Sequence, residues 1–314
     1  MILVPEVLTI LILNGIFLVF STIAFVISLR IYKNWDRKSS TNLQYNLEKQ
    51  SVLAGTIIKY IFLVKLPLFL FFIFTLDKIS NVLIGAMCAA GVVDATSYGI
   101  YLFIFKILNL YLFGFWLVLN NIDIQNENLP YTKVKFGFFC VVYFLFLAEI
   151  IIEILMFSSI DPSIMVSCCG ALYSSTSTSY ISSLFTISPV VILSIFYVNV
   201  LALGLSYYFK HSFSYAIFAL LFIIISIISL ISWFGTYIYE LPTHHCPFCF
   251  LQKDYYYIGY LIYFTLFTGT FFALITPFFN KKRYFDISIF FIIFYTLIVS
   301  GYPVVYYIKN GVWL

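Results

Sequence analysis

Residues 214–238 read SYAIFALLFIIISIISLISWFGTYI, without a single Asp, Glu, Lys or Arg. A transmembrane helix needs roughly 20 predominantly apolar residues, and this stretch exceeds that length. Barrel strands announce themselves as short segments of alternating polarity, whereas this run is long and apolar throughout. Backbone in lipid must satisfy its own hydrogen bonds, so a helix is the reading. Seven more stretches of the same kind fall at 4–29, 52–75, 98–120, 136–157, 187–208, 256–278 and 286–307. The expected fold is all-α: a polytopic transmembrane helix bundle of about eight spans, forming a single integral-membrane domain over residues 1–314.

Composition points the same way. The 314 residues are 63% hydrophobic and 10% charged, and the mean hydropathy is +1.03. A soluble domain carries about 25% charged residues, because its surface must be wetted. Seventeen Lys and Arg with thirteen Asp and Glu cannot cover a soluble body of this size. A soluble enzyme, a disordered chain and a small disulfide scaffold are excluded on that ground. The 37 Phe and 26 Tyr suit a lipid-facing surface with interfacial aromatic belts. No basic residue precedes the first run, which therefore reads as a retained helix rather than a cleavable signal. The chain has no G-x-x-x-x-G-K-[ST] loop and no basic domain, so neither a nucleotide nor a nucleic acid is an expected partner.

The basic residues orient the spans. One set of alternate loops holds eleven of them: Arg30, Lys33, Arg37, Lys38, Lys49, Lys133, Lys135, Lys210, Lys281, Lys282 and Arg283. The opposite set holds three: Lys78, Lys253 and Lys309. The positive-inside rule puts both termini outside and the basic clusters in the cytoplasm, where they also meet anionic lipid. A bacterial cytoplasmic membrane is the expected location.

In that topology the reactive side chains collect on one face. Cys88, Cys168, Cys169, Cys246 and Cys249 are outside, and only Cys140 lies near a cytoplasmic helix end. His244 and His245 abut Cys246, and Met87, Met156 and Met165 sit at or near the same face. Thiols, imidazoles and thioethers form the soft and borderline ligand set. In His244-His245-Cys246-Pro247-Phe248-Cys249, two cysteines three positions apart can close a small disulfide or chelate a metal through two thiolates. A helix starting close after Cys249 would also favour the thiolate through its dipole. The adjacent Cys168 and Cys169 more readily serve two partners, or one metal, than each other. The serine-rich stretch from Ser174 to Ser183 reads as a polar outer loop. Cys88 lies among small residues in Gly85-Ala86-Met87-Cys88-Ala89-Ala90-Gly91, where it could equally be a packed small hydrophobe.

Three readings of this cysteine face stay open. In the first, Cys246 and Cys249 are a redox pair, Cys168, Cys169 and Cys88 are resolving thiols, and His245 tunes the thiolate as a cation or base. In the second, copper, zinc or mercury is bound or transported. The ligands then come from Cys88, Cys168, Cys169, Cys246, Cys249, His244 and His245, with Met87 or Met165 added for copper(I) and an outside metal donor as partner. In the third, outer disulfides merely brace the loops of a structural membrane subunit.

Charge inside the spans is the second constellation. Lys65, Lys106 and Glu149 each lie roughly 13–15 Å below the outer end of their helix at 1.5 Å per residue. Glu153 shares a face with Glu149, one turn nearer the outside. Such groups are costly unless partnered. We therefore expect Lys106 to pair with Glu149 or Glu153 inside the bundle, with Lys65 as the alternative cation. Lys59, nearer the cytoplasm, can snorkel.

Cys246-Pro247-Phe248-Cys249 resembles the active-site pair of glutaredoxin-type proteins. Its setting, an outer loop entering a helix with further outer cysteines elsewhere, is similar to bacterial disulfide-bond oxidoreductases and vitamin K epoxide reductases. The resemblance covers four residues and an arrangement. It implies a four-helix core in which thiols exchange electrons with a quinone, and an extracytoplasmic thiol protein as partner.

Overall fold

The computed structural model describes residues 2–36, 41–126, 128–163, 165–166 and 188–314. Eight of its helices are long and apolar enough to cross a membrane: α1 (Pro5–Asn34), α2 (Asn42–Ser80), α4 (Gly99–Ile124), α5 (Thr132–Ser159), α6 (Pro189–Tyr208), α7 (Ser212–Tyr239), α8 (Ile258–Ile275) and α9 (Lys282–Asn310). A six-residue helix, α3 (Ala89–Asp94), lies between α2 and α4. No strand occurs among the described residues. Each expected span coincides with one long helix, and the all-α bundle class is the observed one.

Local chemistry sets the ends. Pro5 and Pro189 occupy the first helical position, where a missing N–H costs nothing. Thr41 caps α2 by accepting from the Gln44 N–H at 3.3 Å. Gly311 closes α9 at φ +72°, a conformation that glycine adopts without a Cβ clash. The largest departure from the expected spans is at α2, which runs ten residues further toward the N-terminus than its apolar stretch, because Asn42–Ser51 is a good helix former although polar. The last helix before α9, α8, stays close to its expected bounds and begins at Ile258.

The helices group into two compact units. The first contains Met1–Ile84 and Val92–Met165. In it α1 packs on α2 and α5, and α4 on α2 and α5, so four spans form a closed ring. Its core is aromatic: Phe62 stacks on Phe113 at 4.2 Å between centroids and meets the edge of Trp116 at 5.5 Å. The second unit contains Gly85–Gly91 and Val166–Leu314. There α7 packs on α6 and α8, and α9 on α8 and α6, in the same ring order. Phe196 sits at its centre against Phe222, Phe234 and Tyr295. The α8–α9 contact is close because Gly269 faces Ile292, where an added Cβ would come within 2.9 Å of the side chain and 3.1 Å of the backbone nitrogen.

Within α7 the turn Leu230–Phe234 is π-helical. A π turn bonds i to i+5 and so inserts one residue into the hydrogen-bond ladder, and such bulges are frequent at functional sites. The carbonyl of Ile231 takes the ring nitrogen Nδ1 of His245 at 2.9 Å.

Candidate functional site

Three of the five cysteines expected on one face meet inside the second unit. Cys88, Cys246 and Cys249 place their sulfurs within 4.8 Å of one another. Cys88 Sγ is 3.5 Å from Cys246 Sγ, across 158 residues of chain. All three are buried, at 0%, 1% and 4% exposure. Cys168 and Cys169, with the serine-rich stretch, lie outside the described residues. Cys140 is on α5 in the first unit and takes no part in the group.

The loop Glu240–Tyr257 has reasons to hold this shape. Tyr239, the last residue of α7, is buried, and its hydroxyl donates to the carbonyl of Cys246 while accepting the N–H of Phe250 at 3.1 Å. One phenol thus grips the loop on both sides of the cysteine pair. Its ring also packs against His244, Phe250 and Tyr255. From α8, the Tyr263 hydroxyl donates to the carbonyl of Pro247 at 2.7 Å. Gln252 reaches the other segment, donating Nε2 to the carbonyl of Met87 at 3.1 Å, one residue before Cys88. Gly85 turns that segment at φ +90°, in the region that favours glycine. Cys246 Sγ accepts the N–H of Phe248 at 3.4 Å, a contact that favours negative charge on that sulfur.

The histidines play other parts. A carbonyl can only accept, so Nδ1 of His245 carries the proton and anchors the loop to α7. Burial pushes the His245 imidazole below its ordinary value, His244 adds to that, and the Ile231 bond opposes it. Burial thus works against a charged His245, and its Nδ1–H anchors the loop to α7. His244 turns its ring edge-on to Tyr239, 4.3 Å between centroids. Neither histidine belongs to the described sulfur group. Met87 and Met165 are 68% and 77% exposed, unlike the buried sulfurs of the group. The condition for a helix dipole at these thiols, a helix starting close after Cys249, is not met. Cys249 opens a three-residue 3₁₀ turn, and α8 starts nine positions later.

No known protein family, curated protein or solved structure matches this chain. Its chemistry must be read from its own geometry.

The intramembrane charges form a second constellation, wholly within the first unit. Lys106 Nζ lies 3.1 Å from Glu149 Oε1 and 2.9 Å from Glu153 Oε1, as expected. Lys65 Nζ is 2.8 Å from the same Glu149 oxygen. None of the four side chains is more than 6% exposed. Two asparagines complete the set. Asn14 on α1 donates to Glu153 at 2.6 Å and accepts from Lys65 at 3.1 Å. Asn109 on α4 donates to Glu149 at 2.6 Å. Four helices are thereby tied at one level, and two positive charges balance two negative ones. A cavity of about 10 Å³ beside Lys65, Lys106 and Glu149 is about the size of one water.

A further pair was not foreseen. Lys135, read from the sequence only as a cytoplasmic topology marker, is buried and lies 2.7 Å from Asp123 Oδ2. Asp123 also receives the Thr132 hydroxyl at 2.8 Å and the Tyr131 N–H at 2.7 Å, so it caps the start of α5 from α4.

Proposed function

We propose that this chain is a multi-pass protein of a bacterial cytoplasmic membrane whose outward-facing cysteines carry out thiol–disulfide electron transfer. The observation that carries the reading is the 3.5 Å approach of Cys88 Sγ to Cys246 Sγ, with Cys249 beside them. A disulfide that only braces a loop needs two sulfurs. Three in mutual reach, drawn from two separate stretches of chain, make an exchange system. The connections α2–α4 and α7–α8 fall on the same side when all eight spans cross, and positive-inside counting makes that side the outer one. The four-span unit around the group also matches the core size of the oxidoreductases that the Cys246-Pro247-Phe248-Cys249 stretch resembles.

In the reaction, Cys246 and Cys249 give up two electrons and two protons to a quinone-class acceptor, forming their disulfide and a quinol. The Cys88 thiolate then attacks Cys246 Sγ, forming a Cys88–Cys246 disulfide and releasing the Cys249 thiolate. The N–H of Phe248 steadies the Cys246 thiolate in the reduced pair, before that sulfur gives up its electrons to the acceptor. Burial of the sulfurs favours a small or lipid-soluble acceptor over direct docking of a folded thiol protein.

The test is anaerobic incubation of the reduced protein in detergent with a soluble short-chain quinone, followed by denaturing alkylation and peptide mass analysis. Two thiols among Cys88, Cys246 and Cys249 should disappear as one quinol forms. In Cys249→Ser the disulfide should be trapped between Cys88 and Cys246. Retention of all three thiols with no quinol formed would end this reading.

A further inference from the structure

We infer that the same three sulfurs, when reduced, form a binding site for one soft divalent cation of the zinc class, and that metal occupancy and the Cys246–Cys249 disulfide exclude each other. The inference rests on the redox reading for the second half of that statement and on geometry alone for the first.

The geometry comes first. Thiolates bound to zinc at about 2.3 Å in a tetrahedral arrangement sit about 3.8 Å from each other. Cys88 and Cys246 are already 3.5 Å apart, and all three sulfurs lie within 4.8 Å. Little rearrangement is needed to bring them to a common centre. The holding contacts are built into the fold on both segments: Gln252 to Met87, Tyr239 to Cys246, and Tyr263 to Pro247. A site held in place before the ligand arrives spends less of its binding energy on ordering.

The donor set selects the metal. Among the described residues the group contains sulfur only, without carboxylate or imidazole. Hard cations such as magnesium and calcium require oxygen ligands. Charge decides among the soft ones. Three thiolates buried at 0%, 1% and 4% exposure carry three negative charges into a poorly solvated place. A divalent ion leaves one negative charge there, and copper(I) leaves two.

The exclusion follows from electron counting. Oxidation of Cys246 and Cys249 removes two electrons, which pass to the quinone-class acceptor. It converts two of the three donors into a disulfide that no longer offers thiolate charge. The cation leaves unchanged in oxidation state. Conversely, a bound cation holds all three thiolates and withholds the Cys88 nucleophile. The metal is thus an inhibitor of exchange that oxidation displaces.

The experiment titrates the full-length reduced protein in detergent with zinc against a chromophoric chelator, and with cobalt(II) as a spectroscopic stand-in. One equivalent should bind, with thiolate-to-cobalt charge-transfer absorption. Cys88→Ser, Cys246→Ser and Cys249→Ser should each weaken binding on the order of tenfold or more, while Cys140→Ser should not. Protein oxidised with diamide, with no quinone present, should bind none. The wild-type cobalt spectrum reports sulfur ligation even where a variant fails to fold. Absence of stoichiometric zinc binding, full affinity in folded Cys88→Ser, copper(I) bound in place of zinc, or undiminished binding after diamide would each overturn the inference. A protein that forms its disulfide with quinone but never binds zinc would sink this inference alone. One that binds zinc, releases it to diamide and ignores quinone would sink the redox reading and leave the site standing.

Discussion

The two units of this chain share a ring order of four helices and differ in what fills the ring. The first buries four side chains of opposite charge with two asparagines, and a separate Lys135–Asp123 pair. In the second, no buried ion pair is found among the described residues, and the one pair present, Lys309–Glu240, is exposed. Its interior polar contacts are neutral: Tyr215 donates to Ser288 at 2.8 Å, and Ser288 to the carbonyl of Gly269 at 2.7 Å. Charge in lipid tolerates almost no misalignment, because an orphaned ion is far costlier than a lost packing contact. The first unit is therefore committed to one arrangement by electrostatics. The second is held by shape, with its three buried cysteines in a unit that shows no buried ion pair among the described residues.

The sharpest way to break this comparison is Lys106→Met. It leaves the buried cluster with a net negative charge, and the expected loss is about 3–5 kcal/mol. The double variant Lys106→Met with Glu153→Gln restores neutrality and should be more stable than the single one. Thermal unfolding in detergent, followed by circular dichroism, measures both. A double variant less stable than Lys106→Met would show that pairing is not what holds these helices. The counterpart in the second unit is steric. Gly269→Ala pushes a methyl group into Ile292 and should cost about 1–3 kcal/mol, without sensitivity to pH. A neutral effect would mean that α8 and α9 separate easily.

The smallest effect concerns pH. Burial holds His245 below its unfolded value, so the unfolded state binds more protons over the interval between the two. Stability should fall as pH drops below about 6.5, the ordinary histidine value, and the penalty should be complete once the pH passes the folded value. Above about 6.5 the contribution vanishes. His245→Gln should flatten this acid limb in a melting series while leaving the alkaline side alone. An unchanged acid limb would assign the pH dependence to other groups.

Legibility in the sequence followed the physics of each feature. The eight spans were readable because lipid imposes length and apolarity on every one of them. Pairing of Lys106 with Glu149 and Glu153 was readable from depth, since isolated charge there is costly and few partners exist. Asn14 and Asn109 were not, because an amide in an apolar helix carries no charge that demands a partner. The burial of Lys135 against Asp123 was hidden for the opposite reason: its place near a helix end already satisfied the topology rule. Among the cysteines, Cys88 was the least conspicuous, one thiol among alanines and glycines. Only the fold could bring it across 158 residues to Cys246. His245 was read by its proximity to Cys246 in sequence, and its bond to the Ile231 carbonyl of α7 was not foreseen.

That π turn has a consequence for how the chain tolerates change. One extra residue in a helix advances everything beyond it by about 100° around the axis. Downstream of Leu230–Phe234 lies Tyr239, the phenol that grips Cys246 and Phe250. Deleting a single residue such as Ser232 would return α7 to a regular ladder and wind the screw back by that angle. Tyr239 would then point along another bearing. The register of one transmembrane helix thus works as a clock setting for the cysteine loop, in which a shift of one residue matters more than most substitutions.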